Sequence, residues 1–210
     1  VMGRREGYRM WDLSGHELLD FHLNGGTFNL GHRNPEVIDA LVVALGEVDI
    51  GNHHFASVER AALAVDLAAC TPGDMPYSVF ASGGSEAIDV AIKTARHATG
   101  RRRILGLDAG YHGKTGLSGA AGADAGARFF HSDLPDDFAT VPFADADAVE
   151  RALADGEYAA VIMETVPATY GFPIVPEGYL PAVKAAAARH GALYIADEVQ
   201  AGLGRTGDLW

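Results

Sequence analysis

Short apolar segments alternate with amphipathic helical segments through most of this chain of 210 residues. Strands are predicted at 77–81, at 103–107, around Val141, at 159–163 and at 192–196. Helices are predicted at 57–70, 85–98, 113–119, 145–155 and 177–190. Strands that alternate with helices at this spacing need crossover connections, and crossovers produce a mostly parallel sheet. The continuous apolar character of 159–163 predicts helices on both faces, so the expected fold class is a three-layer α/β domain.

Residues 1–50 show a different pattern. The segments 9–13 and 17–21 predict a hairpin that turns at Ser14-Gly15, and Pro35 opens a helix that reaches about residue 48. We therefore predict an N-terminal entry region at 1–50 and an α/β domain at 51–210.

Charge and composition argue against several classes of partner. The formal net charge of −12 opposes a phosphate backbone, and the basic cluster at 101–103 lies at a helix end, where cations are favoured anyway. We expect no nucleic-acid partner. No apolar run approaches the roughly 20 residues of a membrane span, and the first residues lack the apolar core of a signal peptide. The single cysteine, Cys70, fits a reducing compartment, so we expect a cytoplasmic protein without a membrane partner, and we predict no metal site.

Polar or glycine-rich turns follow four of the predicted strands. Such turns can converge on one ligand, because the ligand crevice of an open parallel sheet lies beyond the carboxyl ends of its strands. The turn Ser82-Gly-Gly-Ser-Glu-Ala joins a strand to a helix start, which suits a phosphate, although an ordinary helix cap explains it equally well. The turn Gly110-Tyr-His-Gly offers an aromatic face and an imidazole, although Tyr111 taken alone is more often a packing residue.

The other two turns supply carboxylates. Glu164 follows the strand at 159–163, and Asp197 with Gln200 ends the strand at 192–196. A buried carboxylate needs a charged or hydrogen-bonded partner. An acid aimed at a pyridinium nitrogen would keep that nitrogen protonated, and an amide three residues further on would reach a ring hydroxyl. A structural salt bridge is the alternative for both acids.

In combination these motifs resemble the class III (ω-amino) aminotransferases, a family of fold-type I enzymes that use pyridoxal phosphate. The matching segments follow the family's order over nearly the whole chain: Leu30-Gly-His with Asn34-Pro, Ser82-Gly-Gly-Ser-Glu-Ala, Ala91-Ile-Lys-Thr-Ala-Arg, Gly110-Tyr-His-Gly, Val161-Ile-Met-Glu, and Ile195-Ala-Asp-Glu-Val-Gln with Gly202-Leu-Gly-Arg-Thr-Gly. The resemblance implies that 51–210 is an incomplete fold-type I large domain and that 1–50 belongs to the small domain. It places the Schiff-base lysine segment and the C-terminal domain outside this sequence.

The resemblance also implies a role for each matched residue around the cofactor, pyridoxal 5′-phosphate. These residues are Gly84 and Ser85 at the phosphate, Tyr111 and Val199 on the two ring faces, Asp197 at the pyridine nitrogen, Gln200 near the 3′ oxygen, His112 beside the ring and Glu164 near Asp197. Asp197 is therefore the catalytic residue that this sequence is expected to contribute.

The implied reaction moves an amino group from an amine or amino acid donor to a keto acid or aldehyde acceptor, in a homodimer. The stretch 51–55, which is polar and aromatic, is a candidate contact with the twofold partner. Two alternatives stay open. One is another reaction of the family, by an aminomutase, racemase, decarboxylase or phospho-lyase. The other is a non-catalytic fragment, if the chain truly ends at Trp210.

The sequence departs from the family after Glu164, where Pro and then Gln-Gly are usual and Thr165-Val-Pro-Ala-Thr stands instead. Many members that use 2-oxoglutarate have a glutamate where Thr169 stands, so this departure puts 2-oxoglutarate in doubt as the acceptor. None of the lysines, Lys93, Lys114 and Lys184, is expected to be the Schiff-base residue.

Overall fold

The computed structural model describes residues 2–48, 55–122 and 125–210. The chain forms two compact units, the first made of Val1–Ser78 with Gly202–Trp210 and the second of Val79–Ala201. The domain boundary predicted between residues 50 and 51 falls outside the described residues. The assignment of 51–210 to one domain stays a prediction.

Strands and helices are numbered in chain order. The strands are β1 (Met2–Glu6), β2 (Arg9–Asp12), β3 (Glu17–Leu19), β4 (Arg103–Leu107), β5 (Phe138–Val141), β6 (Tyr158–Glu164) and β7 (Leu193–Asp197). The helices are α1 (Pro35–Leu45), α2 (Val58–Cys70), α3 (Gly84–Thr99), α4 (Gly116–Ala121), α5 (Ala125–Phe129), α6 (Ala146–Leu153) and α7 (Tyr179–Arg189). A 3₁₀ turn covers Ala168–Tyr170.

The first unit contains a three-stranded antiparallel sheet in the order β1-β2-β3. The predicted hairpin is β2 and β3, and its turn is held by Asp12, whose Oδ1 accepts the N–H groups of Ser14 and His16 at 2.9 Å. Helix α1 begins at Pro35 as predicted, because the Asn34 side chain caps it by accepting the N–H of Val37.

The second unit contains a four-stranded sheet in the order β5-β4-β6-β7, and every pair in it is parallel. Alternate strand residues point to opposite faces. Leu105 and Val161 pack in the cluster that α6 and α7 cover, whereas Ile104 and Ile162 pack in the cluster that α3 covers. The prediction of a mostly parallel sheet with helices on both faces is confirmed.

The prediction of a strand at 77–81 is wrong. These residues are within the described part of the chain, and they form no helix or strand. Tyr77 and Val79 are 92% and 72% exposed. No strand among the described residues pairs with this segment, and a strand needs a neighbour to take up its backbone N–H and C=O groups.

The basic cluster at 101–103 is used inside the chain. Arg101 donates to the carbonyl oxygens of Tyr158 and His190, at 3.1 and 2.8 Å. Arg102 pairs with Asp137 and Arg103 with Asp155, both at 2.7 Å. These contacts explain the cluster without an external anion. Among the helices of the described residues, none has both the length and the apolar character needed to span a membrane.

Candidate functional site

Two acids lie side by side at the carboxyl ends of β6 and β7. Glu164 is paired with Asp197 in the parallel register of these strands, and the residues are 6% and 5% exposed. Adjacent buried carboxylates are stable only if other groups neutralise them or donate hydrogen bonds to them. Within the described residues neither acid contacts a lysine or arginine, so the alternative of a salt bridge to such a side chain is not what holds them.

Asp197 is held by two donors. Its Oδ2 lies 2.7 Å from Nδ1 of His112, and its Oδ1 accepts the N–H of Val199 at 3.1 Å. The other ring nitrogen of His112, Nε2, is buried and has no hydrogen-bond partner within the described residues. The short contact orients the imidazole ring with Nδ1 toward the carboxylate of Asp197. Partners on both of its oxygens therefore hold the carboxylate of Asp197 in a fixed orientation.

Glu164 binds the backbone of two turns. Its Oε1 accepts the N–H of Tyr111 at 2.9 Å, and its Oε2 accepts the N–H of Ala168 at 3.3 Å. Burial raises the pKa of Glu164 above its ordinary value, the negative charge of Asp197 raises it further, and the two backbone N–H groups act in the opposite direction. Glu164 thus fixes the turn that carries Tyr111 and His112 to the end of β6.

The glycine turn before α3 is closely packed. A Cβ on Gly84 would lie 2.7 Å from Cγ1 of Val199, so glycine at this position lets the turn after β7 approach the helix start. Glu86 accepts the N–H of Ser82 at 2.6 Å, which fixes the entry into the helix in the manner of a capping box. The hydroxyl of Ser85 accepts the N–H of Lys114 at 3.3 Å, and its own proton is not donated to any described residue. The first N–H groups of α3 have no partners inside the helix and suit an anion.

All the residues predicted for the site lie in the second unit, and each is at or just after a strand end or at the start of α3. They are Gly84, Ser85, Tyr111, His112, Glu164, Asp197, Val199 and Gln200. Hydrogen bonds and close packing connect them except for Ser85, which binds the backbone of Lys114, and Gln200, whose side chain forms no hydrogen bond within the described part of the chain. Tyr111 and Val199 are 43% and 62% exposed, so both keep surface that a flat ring can cover.

The sequence analysis missed two residues beside the site, Asp89 and Thr165. Asp89 accepts the N–H of Ser118 at 2.7 Å. The sequence pattern that could have pointed to Asp89 is its position four residues after Ser85, which places both side chains on one face of the helix. Thr165 donates its hydroxyl to Oε1 of Glu198 and its N–H to the carbonyl oxygen of Asp197. Proline, which the family usually has at the position of Thr165, has no N–H and could not form the bond to the carbonyl oxygen of Asp197.

The loop after β6 is also tied to the loop after β4. The hydroxyl of Thr169 donates to the carbonyl oxygen of Ala109. The hydroxyl of Tyr170 donates to Asp108 and accepts the N–H of Ala109, and burial together with the Asp108 bond raises the pKa of Tyr170 to about 12. The Thr169 side chain is therefore engaged within the chain.

Comparison with known proteins identifies the family. The sequence pattern of the class-III aminotransferases matches residues 1–210. The chain belongs to the class-III aminotransferase family. An uncharacterized aminotransferase of Archaeoglobus fulgidus is 52% identical over 210 residues, which are 100% of this chain and 49% of that protein. The family predicted from the sequence motifs is confirmed.

Solved structures support the same grouping. The taurine:2-oxoglutarate aminotransferase of Bifidobacterium kashiwanohense, in complex with PLP and glutamate, is 29% identical with a TM-score of 0.88, covering 100% of this chain and 52% of that one. The N-acetylornithine aminotransferase of Stenotrophomonas maltophilia is 30% identical with a TM-score of 0.83, covering 100% of this chain and 53% of that one. The chain thus spans about half the length of these relatives. The expected fold-type I architecture is confirmed for the part present here.

Proposed function

We propose that the protein is a pyridoxal-phosphate-dependent aminotransferase, which moves an amino group from an amine or amino acid to a keto acid or aldehyde. The observation that carries the proposal is the buried, oriented carboxylate of Asp197 at the end of β7. Membership of the class-III family and the relatives named as aminotransferases support it.

The side chains at the site fit this cofactor. The start of α3 and the free hydroxyl proton of Ser85 suit a phosphate group. The exposed Tyr111 and Val199 side chains suit the two faces of a pyridine ring. The negative charge of Asp197 suits a protonated ring nitrogen, and Gln200 has a free amide for a ring hydroxyl.

Pyridoxal phosphate, when bound, supplies an electron sink for the negative charge that develops on the donor carbon. Asp197 would hold the proton on the pyridine nitrogen, and that proton keeps the ring electron-poor. His112 and the N–H of Val199 keep the Asp197 carboxylate in one orientation. Glu164 would act at a distance, because it holds the backbone of Tyr111. Tyr111 would shield one face of the ring from water.

The lysine that anchors the cofactor is proposed to lie outside residues 1–210. A Schiff-base lysine must be desolvated beside the ring to act as a nucleophile. The side chains of Lys93, Lys114 and Lys184 are all exposed. Their exposure supports the assignment of this role to another segment.

The acceptor is the least constrained part of the proposal. One structural relative is named for 2-oxoglutarate, but Thr169 offers a hydroxyl where many users of 2-oxoglutarate have a glutamate, and that hydroxyl is bound to Ala109. We therefore propose a keto acid or aldehyde acceptor. An aminomutase, racemase, decarboxylase or phospho-lyase is the second candidate, and the departure at 165–169 is what favours it.

We further propose that the full-length protein is a cytoplasmic homodimer. The single cysteine fits a reducing compartment, and twofold pairs are the commonest assembly. Most of the predicted partner contact, residues 51–54, falls outside the described residues. Light scattering at micromolar concentration tests the dimer, and a fully active monomer would contradict it.

A transamination assay on the full-length protein tests the proposed reaction. The protein is incubated with pyridoxal phosphate, a panel of amines and amino acids, and pyruvate or 2-oxoglutarate as acceptor. We expect a visible absorbance band from bound cofactor and a keto or aldehyde product that exceeds the amount of cofactor only when an acceptor is added. Continued turnover without an acceptor would favour the second candidate. A protein that stays colourless after cofactor addition would rule out both.

A further inference from the structure

We propose that Asp89 is a positioning residue of the cofactor site, which joins the phosphate-binding start of α3 to the turn that presents Tyr111. This inference rests on the proposed function. Asp89 lies four residues after Ser85 in α3, so both side chains project from the same face of the helix.

Asp89 caps a helix other than its own. Its Oδ1 accepts the N–H of Ser118 at 2.7 Å. Ser118 is in the first turn of α4, where backbone N–H groups have no partner inside the helix. The residue that precedes α4, Thr115, forms no side-chain capping bond. Asp89 therefore supplies from α3 the cap that α4 lacks in its own sequence.

Two glycines let the turn lie directly against this face of α3. Gly116 has a φ of +47°, and a Cβ there would lie 2.7 Å from Oδ2 of Asp89. Gly113 has a φ of +138°, and a Cβ there would collide with Oγ of Ser85 on α3. Both positions combine a backbone conformation that favours glycine with close contact to a side chain of α3. The contact between the turn and α3 thus depends on glycines in the turn and on polar side chains of α3.

The turn at 110–118 is held at three places. The N–H of Tyr111 binds Glu164 on β6, and the ring of His112 binds Asp197 on β7. On the side of α3, Asp89 binds Ser118, while the hydroxyl of Ser85 accepts a longer backbone bond of 3.3 Å. Loss of Asp89 would leave every group that touches the cofactor in the chain, but would remove the shorter of the two hydrogen bonds that join this segment to α3. If only a fraction of the molecules keeps the turn in its binding position, the apparent dissociation constant of the cofactor equals the intrinsic constant divided by that fraction.

The test measures cofactor binding by the full-length protein and its variants. For Asp89→Ala we expect pyridoxal phosphate to bind about 5- to 30-fold more weakly, the change that corresponds to loss of one helix cap. The visible circular dichroism of the bound cofactor should weaken, because the aromatic face beside it is no longer fixed. In Asp89→Asn the side-chain oxygen still accepts the N–H of Ser118, so binding and dichroism should return to near wild type.

Asp145→Ala is the matched control. Asp145 caps α6 by accepting the N–H of Ala148, also at 2.7 Å, and α6 carries none of the site residues. This variant should lose thermal stability to a similar extent but bind the cofactor like the wild type.

The outcomes separate the two proposals. A wild-type protein that binds no pyridoxal phosphate would overturn the proposed function and the role of Asp89 with it. A wild-type protein that binds, beside an Asp89→Ala variant with unchanged affinity and dichroism, would overturn the role of Asp89 alone. Equal weakening in Asp145→Ala would also overturn it, since the effect would then be general destabilisation. If Asp89→Ala does not fold, Gly116→Ala disturbs the same contact from α4 and must weaken binding for the role to stand.

Discussion

Replacement of His112 by leucine should destabilise the second unit by a predictable amount. The Nδ1–Oδ2 bond between His112 and Asp197 is 2.7 Å long, and the two side chains are 0% and 4% exposed, so water cannot replace the lost donor. A hydrogen bond to a charged group contributes about 1.5–3 kcal/mol. Leucine preserves most of the volume and removes the unpaired Nε2, which offsets part of the loss. We therefore expect the free energy of unfolding to fall by about 1–3 kcal/mol.

Urea denaturation of the cofactor-free, full-length protein near neutral pH measures this change. His112→Asn is the control, because its side-chain amide can place an N–H close to the position of Nδ1 in histidine. It should recover at least half of the loss. Wild-type stability in His112→Leu, or equal losses in the leucine and asparagine variants, would refute the view that this bond holds the turn after β4 to the end of β7.

Three further predictions concern the same unit. Burial raises the pKa of Glu164 above 4.5, so the stability that the protonated group contributes is complete below that pH and is lost as pH rises through the folded-state pKa. In urea denaturation at a series of pH values, Glu164→Gln should lose less stability over this range than the wild type. Parallel profiles of the wild type and the variant would contradict the shift. Gly106→Ala should lower the free energy of unfolding by about 1–3 kcal/mol in urea denaturation, because a Cβ there would lie 2.7 Å from the carbonyl oxygen of Ala121; wild-type stability in this variant would contradict the close approach. Asp197→Asn should slow turnover by a hundredfold or more, at about 1.4 kcal/mol of barrier per tenfold, while the variant stays folded by circular dichroism; turnover at the wild-type rate would contradict its role.

The parallel sheet was predictable because its central strands are buried on both faces. The bounds of β4 match the predicted 103–107, and β6 extends the predicted 159–163 by one residue at each end. Continuous apolar runs of this kind carry their own signal. The segment 77–81 has a similar composition but no described partner strand, and composition alone cannot supply the missing backbone hydrogen bonds. Strand β1 was missed because Met2–Glu6 is mostly polar and is defined by its pairing with β2.

The sequence indicated which residues form the site, but not which hydrogen bonds these residues make. Parallel strands end at one edge of a sheet, so Glu164 and Asp197 were expected at the same edge, and the pairing of β6 with β7 makes them neighbours. The partner of each acid depends on the path of the turn after β4, and no residue pattern gives that path. The sequence therefore left open whether these acids form salt bridges, and the structure instead pairs Asp197 with His112 and Glu164 with backbone N–H groups.

The protonation state of the cofactor nitrogen tests the role of Asp197 most directly. Pyridoxal phosphate labelled with ¹⁵N in its ring is bound to the full-length protein, and the chemical shift of the ring nitrogen is recorded by NMR for the wild type and for Asp197→Asn. We expect the shift of a protonated ring nitrogen in the wild type, and that of an unprotonated nitrogen in the variant, because asparagine brings no negative charge to the end of β7. An unprotonated nitrogen in the wild type, or the same protonated shift in both proteins, would contradict the assignment of Asp197 to the cofactor ring.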